Sequence, residues 1–109
     1  MEYREYLKRR TKGSSLRGHH VPQQARLTES GLNPRSGTVV VVEGYVHAQT
    51  RTFAGRGRLT AEAESGLPLC VSEARCLQEF PELGLSDDTA QQVRELNRKT
   101  FPEHFSEEE

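Results

Sequence analysis

"TVVVVEG", residues 38–44, is the stretch that decides the fold. Four β-branched valines after a threonine favour an extended chain, because branched side chains are stiff in a helix and pack well on a pleated surface. The run is continuously apolar rather than alternating, which predicts a strand buried on both faces. Glu43-Gly44 ends it. Upstream, "LRGHHVP", residues 16–22, predicts a second extended segment. Val21 precedes a proline and is pushed out of the helical region. Pro22 lacks an N–H and would end a strand or sit at its edge. Between the two, residues 23–37 contain Gly31, Asn33-Pro34 and Gly37 and read as a loop.

Downstream, "YVHAQTRTF", residues 45–53, predicts a short helix, and "AGRGRL", residues 54–59, a break. The chain then turns helical. "TAEAESG" predicts a helical stretch interrupted by Gly66 and Pro68, and residues 70–80 a helix stopped by Pro81. Residues 86–101 predict the best helix. Ser86 caps it, Asp87 and Asp88 suit its positive end, and Arg98 and Lys99 its negative end. Ala90, Val93, Leu96 and Phe101 give it an apolar stripe. At the N-terminus, residues 2–10 predict a short helix with Tyr3, Tyr6 and Leu7 on one face, ended by "TKGSS". Residues 106–109, "SEEE", read as a disordered tail. The order of strand, loop, strand, short helix and packing helices predicts a small α+β domain.

At 109 residues, with 33% hydrophobic and 28% charged residues, the chain suits one domain with a modest core. A formal net charge of −1 conceals two unlike halves. Residues 1–60 carry eleven Lys/Arg against four Asp/Glu, and residues 61–109 four against twelve. A basic half is a candidate polyanion surface, since phosphate neutralisation supplies most non-specific nucleic-acid affinity. Cys70 and Cys76, six apart, match neither a metal knuckle nor a disulfide framework and read as small core residues. No apolar run is long enough to span a bilayer, so no membrane insertion is expected. The charged start "MEYREYLKRRTKG" is no signal peptide.

The chemistry centres on "RGHHVPQQARL", residues 17–27, which holds two of the four histidines, His19 and His20. Side chains alternate faces along a strand, so adjacent histidines point apart and suit two jobs. One can bind an ion while the other orients or activates a group; neutral imidazole serves for both. His47 lies 27 residues after His20, just past the valine strand, and a hairpin-like return brings it back to the pair. Such a set suits metal-assisted phosphodiester hydrolysis, with arginines such as Arg51, Arg56 and Arg58 clamping phosphates. His104 reads as a surface or satisfied core residue, and Arg17 and Arg26 receive no role.

"GHHVPQQA", an extended segment and then "VHAQTRTFAGRGR" resemble the GHH-type toxin nucleases of the HNH/endonuclease VII, or His-Me finger, superfamily, over about residues 16–58. The resemblance implies a ββα-metal core over residues 16–58; the residue pattern adds residues 1–15 as an N-terminal helix and linker and residues 59–105 as a helical part. It implies His19 and His47 as metal ligands and His20 as the general base. Arg51 joins the catalytic set, and Gln49, Thr50, Arg56 and Arg58 the substrate-binding set. Thr50 and Arg51 occupy the positions where many members carry a further helix ligand. That leaves an open shell suited to Mg²⁺ or Mn²⁺ ahead of Zn²⁺ or Ni²⁺. The implied substrate is nucleic acid, DNA ahead of RNA. The implied partners are a cognate immunity protein and a larger carrier polypeptide or secretion apparatus, such as a type VI-like system, delivering the toxin into a target-cell cytoplasm. Two readings compete: a non-catalytic nucleic-acid-binding module using the basic half, and a structural metal or interaction domain.

Overall fold

The computed structural model describes residues 1–105 of the chain; the tail expected to be disordered, residues 106–109, lies outside them. The fold is α+β: among the described residues it has one antiparallel pair of strands and seven helices. Strand β1 (Leu16–His20) pairs with β2 (Val39–Glu43), with His19 opposite Val40 and His20 opposite Val39. Helix α1 (Tyr3–Arg9) precedes the pair, and the residues before it run along the free edge of β2 through a Glu2–Thr38 bridge. Helices α3 (Gly44–His47), α4 (Ala54–Glu64), α5 (Leu69–Leu77), α6 (Asp87–Thr100) and α7 (Pro102–Phe105) follow.

The strand pair has two unlike faces. Val40 and Val42 join Val21, Cys76, Leu77, Phe80 and Val93 in the main core, under α5 and α6. Each fully buried side chain of this kind contributes about 1.5–3 kcal/mol. The other face meets α1. There the expectation of burial on both sides fails at Val41, which is 37% exposed. Its cross-strand partner is Gly18, which offers no side chain to cover it. A smaller cluster of Leu27, Leu69 and Phe105 closes the far end. Cys76 is buried and its thiol is pushed up to about 12 by that burial, so it behaves as an inert core group; Cys70 is half-buried, and both are free.

Two expectations need correction. Residues 23–37 are not simply a loop: they hold α2 (Gln24–Glu29) and a 3-10 turn (Pro34–Ser36) whose first residues Asn33 caps. Helix α2 forms because Leu27 seats in the second cluster and the Arg26 guanidinium is buried against Ser72, Glu29 and the Leu67 carbonyl. Residues 54–59 are not a break: α4 runs straight through both glycines. The later helices match their signals, with the Ser86 hydroxyl accepting from the Thr89 N–H at 3.1 Å. None of the helices among the described residues is long and apolar enough to cross a membrane.

Candidate active site

The end of β1, the helix after β2 and the start of α4 surround a pocket of about 360 Å³. His19, His20 and His47 all line it, beside Tyr3, Gly18, Gln23, Gln24, Thr52, Phe53 and Ala54. The three histidines expected to act together therefore do meet. His19 leaves the strand on the core face with Val40, and His20 on the opposite face, where its ring lies 4.4 Å from that of Tyr3. Both reach the pocket because it sits where β1 ends. The glycine of the "GHH" triplet has a packing reason: a Cβ on Gly18 would lie 3.0 Å from the Tyr6 ring, which would have to give by a few tenths of an ångström.

The histidines differ in their partners. His20 Nε2 lies 3.1 Å from the Pro34 carbonyl oxygen. A carbonyl only accepts, so Nε2 carries the proton and Nδ1 keeps its lone pair. His19 is 1% exposed and its Nε2 is buried without a hydrogen-bond partner. Its ring centroid lies 5.6 Å from that of His47, which in turn packs edge-on against Phe53 at 5.2 Å. Burial pushes the His19 pKa down to about 4, helped by the neighbouring His47 and His20. Burial lowers His20 as well; the Pro34 hydrogen bond opposes this and His47 adds to it. Burial and then the charge of Arg17 lower His47. All three rings are therefore neutral near pH 7, the form that binds a cation or takes up a proton.

Two imidazoles sharing one ion through bonds of about 2.1 Å have centroids roughly 4.5–6 Å apart. The His19–His47 spacing and the orphaned His19 nitrogen fit that arrangement. Among the described residues, however, no three His, Cys, Asp or Glu side chains gather to hold an ion. An ion placed here would have two histidines and would need its other ligands from different groups.

The remaining expected residues sit elsewhere. Arg51 does not reach the pocket: its guanidinium pairs with the buried Glu64 and contacts Cys76 Sγ at 3.3 Å, while its N–H donates to Glu79 at 2.8 Å. Thr50 is fully buried and its hydroxyl donates to the His47 carbonyl at 2.9 Å, so it fixes the backbone of the histidine rather than meeting substrate. Arg56 donates to the Thr50 and Ala48 carbonyls and ties that turn to α4. Gln49 is exposed and outside the pocket. Arg58 lies in an adjoining groove that shares Gln23, Gln24, Thr52 and Ala54 with the pocket.

Sequence reasoning passed over Tyr3, Gln23 and Phe53. Gln23 stood inside the quoted "GHHVPQQA" segment, whereas nothing in the sequence links Tyr3 to His20. It also missed Asn97, which is fully buried and donates to the Val21 carbonyl at 3.0 Å and to Glu73 at 2.7 Å, while accepting from Thr38 at 2.7 Å. That network anchors the residue after the histidine pair to α5 and α6. No protein-family model, curated protein or solved structure matches the chain.

Proposed function

We propose that this chain is a metal-dependent endonuclease that hydrolyses phosphodiester bonds, with DNA as the favoured substrate and RNA as the alternative. The observation that carries this reading is the division of labour in one pocket. His20 has its Nε2 committed to the Pro34 carbonyl, while the unpartnered His19 lies beside His47. His20 acts as general base: Nδ1 takes the proton of a water whose oxygen attacks phosphorus, and the departing sugar oxygen is protonated from solvent. Pro34 holds the base in the tautomer it needs, and Tyr3 holds its ring. His19 and His47 are the residues that would hold a divalent ion, Mg²⁺ or Mn²⁺ ahead of Zn²⁺ or Ni²⁺. When bound, it supplies positive charge for the scissile phosphate and the leaving oxygen.

A polyanion also has a path to this pocket. A second cleft of about 600 Å³, between the end of α1 and the start of β1, is lined by the exposed Arg10, Lys12 and Arg17. Arg17 precedes Gly18 of the histidine pocket. Phosphates lying in this cleft would hold the flanking strand while the histidines act on the scissile bond. The resemblance to toxin nucleases extends the proposal to a cognate immunity protein and to delivery by a larger carrier or secretion apparatus.

The test is incubation with plasmid DNA and with total RNA, in Mg²⁺, Mn²⁺, Zn²⁺ or EDTA, beside His20→Ala. Cleavage should need a divalent ion and fall by about 10²–10⁴ without the base. If His20→Ala cuts as fast as the unsubstituted protein under matched ion, the assignment of the base fails. Salt-sensitive binding with no cleavage and no response to EDTA would mark a binding module instead.

A further inference from the structure

The pocket contains a second orphaned polar atom besides the His19 nitrogen. Gln23 stands immediately before α2 and is 7% exposed. Its Nε2 donates to the Gly57 carbonyl at 3.0 Å, which fixes which way the amide faces. The other end, Oε1, is buried and has no hydrogen-bond partner. A buried amide oxygen left unsatisfied costs about 1–3 kcal/mol.

Four buried side-chain N or O atoms lack a partner among the described residues: His19 Nε2, Gln23 Oε1, Glu64 Oε1 and Glu79 Oε1. The two carboxylates each have their other oxygen engaged by Arg51. The remaining two atoms belong to side chains of the same pocket, four residues apart, at the end of β1 and the start of α2. Each is satisfied by something that accepts electron density. A substrate phosphate oxygen is itself an acceptor and cannot satisfy the amide oxygen. One cation satisfies both.

We propose that Gln23 is a ligand of the metal site, giving its Oε1 to the same divalent ion that His19 and His47 hold. This rests on the two-histidine reading above and supplies the ligand that the helix after His47 does not. Two imidazole nitrogens and one amide oxygen carry no negative charge, so the ion keeps its full charge for an incoming phosphate. Mixed nitrogen and oxygen donors suit Mn²⁺ better than Mg²⁺, which prefers oxygen alone. Gly57 has a part here too: by accepting from Nε2, its carbonyl leaves Oε1 as the end of the amide that is free to bind.

The test is Mn²⁺ binding, followed by electron paramagnetic resonance of the free ion, to the unsubstituted protein, His19→Ala, Gln23→Ala and Gln23→Met. One ion should bind the unsubstituted protein, and each Gln23 variant should weaken it by about tenfold or more. Because both variants also lose the bond to Gly57, a second measurement uses the unsubstituted protein. On adding diamagnetic Zn²⁺, the Gln23 ¹³Cδ resonance should move downfield while that of its exposed neighbour Gln24 stays put. If His19→Ala loses the ion but the Gln23 variants bind normally and ¹³Cδ does not move, Gln23 is no ligand and the two-histidine site stands. If the unsubstituted protein binds no ion, or His19→Ala binds equally well, both this proposal and the metal site fall.

Discussion

Two glycines two residues apart on α4, Gly55 and Gly57, should respond to the same substitution with opposite signs. Replacing an interior helical glycine by alanine ordinarily stabilises by about 1 kcal/mol, because alanine loses less backbone entropy. At Gly55, the second residue of α4, a new Cβ meets nothing within 4 Å, so Gly55→Ala should gain about half that amount. At Gly57 the same Cβ would lie 2.2 Å from the Thr52 carbonyl oxygen and 2.8 Å from its carbon. Those are backbone atoms of the turn that leads into α4, and no rotamer change relieves them. Overpacking of this kind costs about 3 kcal/mol. Set against a propensity gain of about 1 kcal/mol, Gly57→Ala should lose about 2 kcal/mol net. For a domain this small that lowers Tm by about 10 °C. Urea denaturation of the three proteins side by side measures the two differences, with an unchanged m-value as the control for two-state unfolding. A Gly57→Ala protein as stable as Gly55→Ala would refute the close approach of α4 to the Thr52 turn. The placement of Gly57 as the acceptor for Gln23 Nε2 would be called into question with it.

Three further outcomes follow from the same contacts. In EDTA, stability should rise with pH between about 4 and 6.5, because there the unfolded chain holds a proton on His19 that the folded one lacks. It is complete above 6.5 and lost as pH falls toward 4, with His19 alone giving up to about 1.4 kcal/mol per pH unit; His19→Gln should flatten the profile, and an unchanged slope would place His19 in solvent. Asn97→Ala strands the Val21 carbonyl and the Thr38 hydroxyl in the interior, while Glu73 keeps its bond from Arg98, and should cost about 3 kcal/mol in urea denaturation, whereas a loss under 1 kcal/mol would mean the network is hydrated. Arg10→Ala with Lys12→Ala should raise KM for long DNA and make the slope of log affinity against log salt shallower by about 2, leaving kcat unchanged; a fall in kcat with unchanged KM would remove the cleft from substrate binding.

How much of this could be read from the sequence depended on whether the cause was local. The valine strand and the capped helix behind Ser86 were legible, because β-branching and capping act within a few residues; the gathering of His19, His20 and His47 was legible only through the antiparallel return of that strand. Helix α2 was not: a stretch with Gly31 and Asn33-Pro34 looks like a loop, and Arg26 looks like surface until Ser72, 46 residues on, receives it. The glycines of "AGRGR" read as breakers, yet Gly57 is there for a contact with a backbone carbonyl. Asn97 sits four residues after Val93 on the buried side of α6, where an apolar stripe drawn through Leu96 passes it by. The partner that makes it a core residue is the carbonyl of Val21.

The same distinction changes what the basic half of the chain means. Eleven Lys/Arg in residues 1–60 suggest one broad polyanion surface. Three of those arginines are internal staples instead: Arg26 holds α2 to α5, Arg51 neutralises Glu64, and Arg56 closes the turn after His47. Arg9 is paired with Glu5 on α1. The cations left around the two pockets are Arg10, Lys12 and Arg17, while Arg58, in the adjoining groove, lies 4.0 Å from Glu62. A substrate strand would thus be gripped by few charges, and its affinity should fall less steeply with salt than the count of basic residues implies. The pocket itself offers neutral imidazoles and an amide. On the proposed nuclease reading, charge for the phosphate at the scissile bond would then come from the ion, so ion binding and catalysis would be inseparable, while flanking contacts and chemistry could be mutated apart.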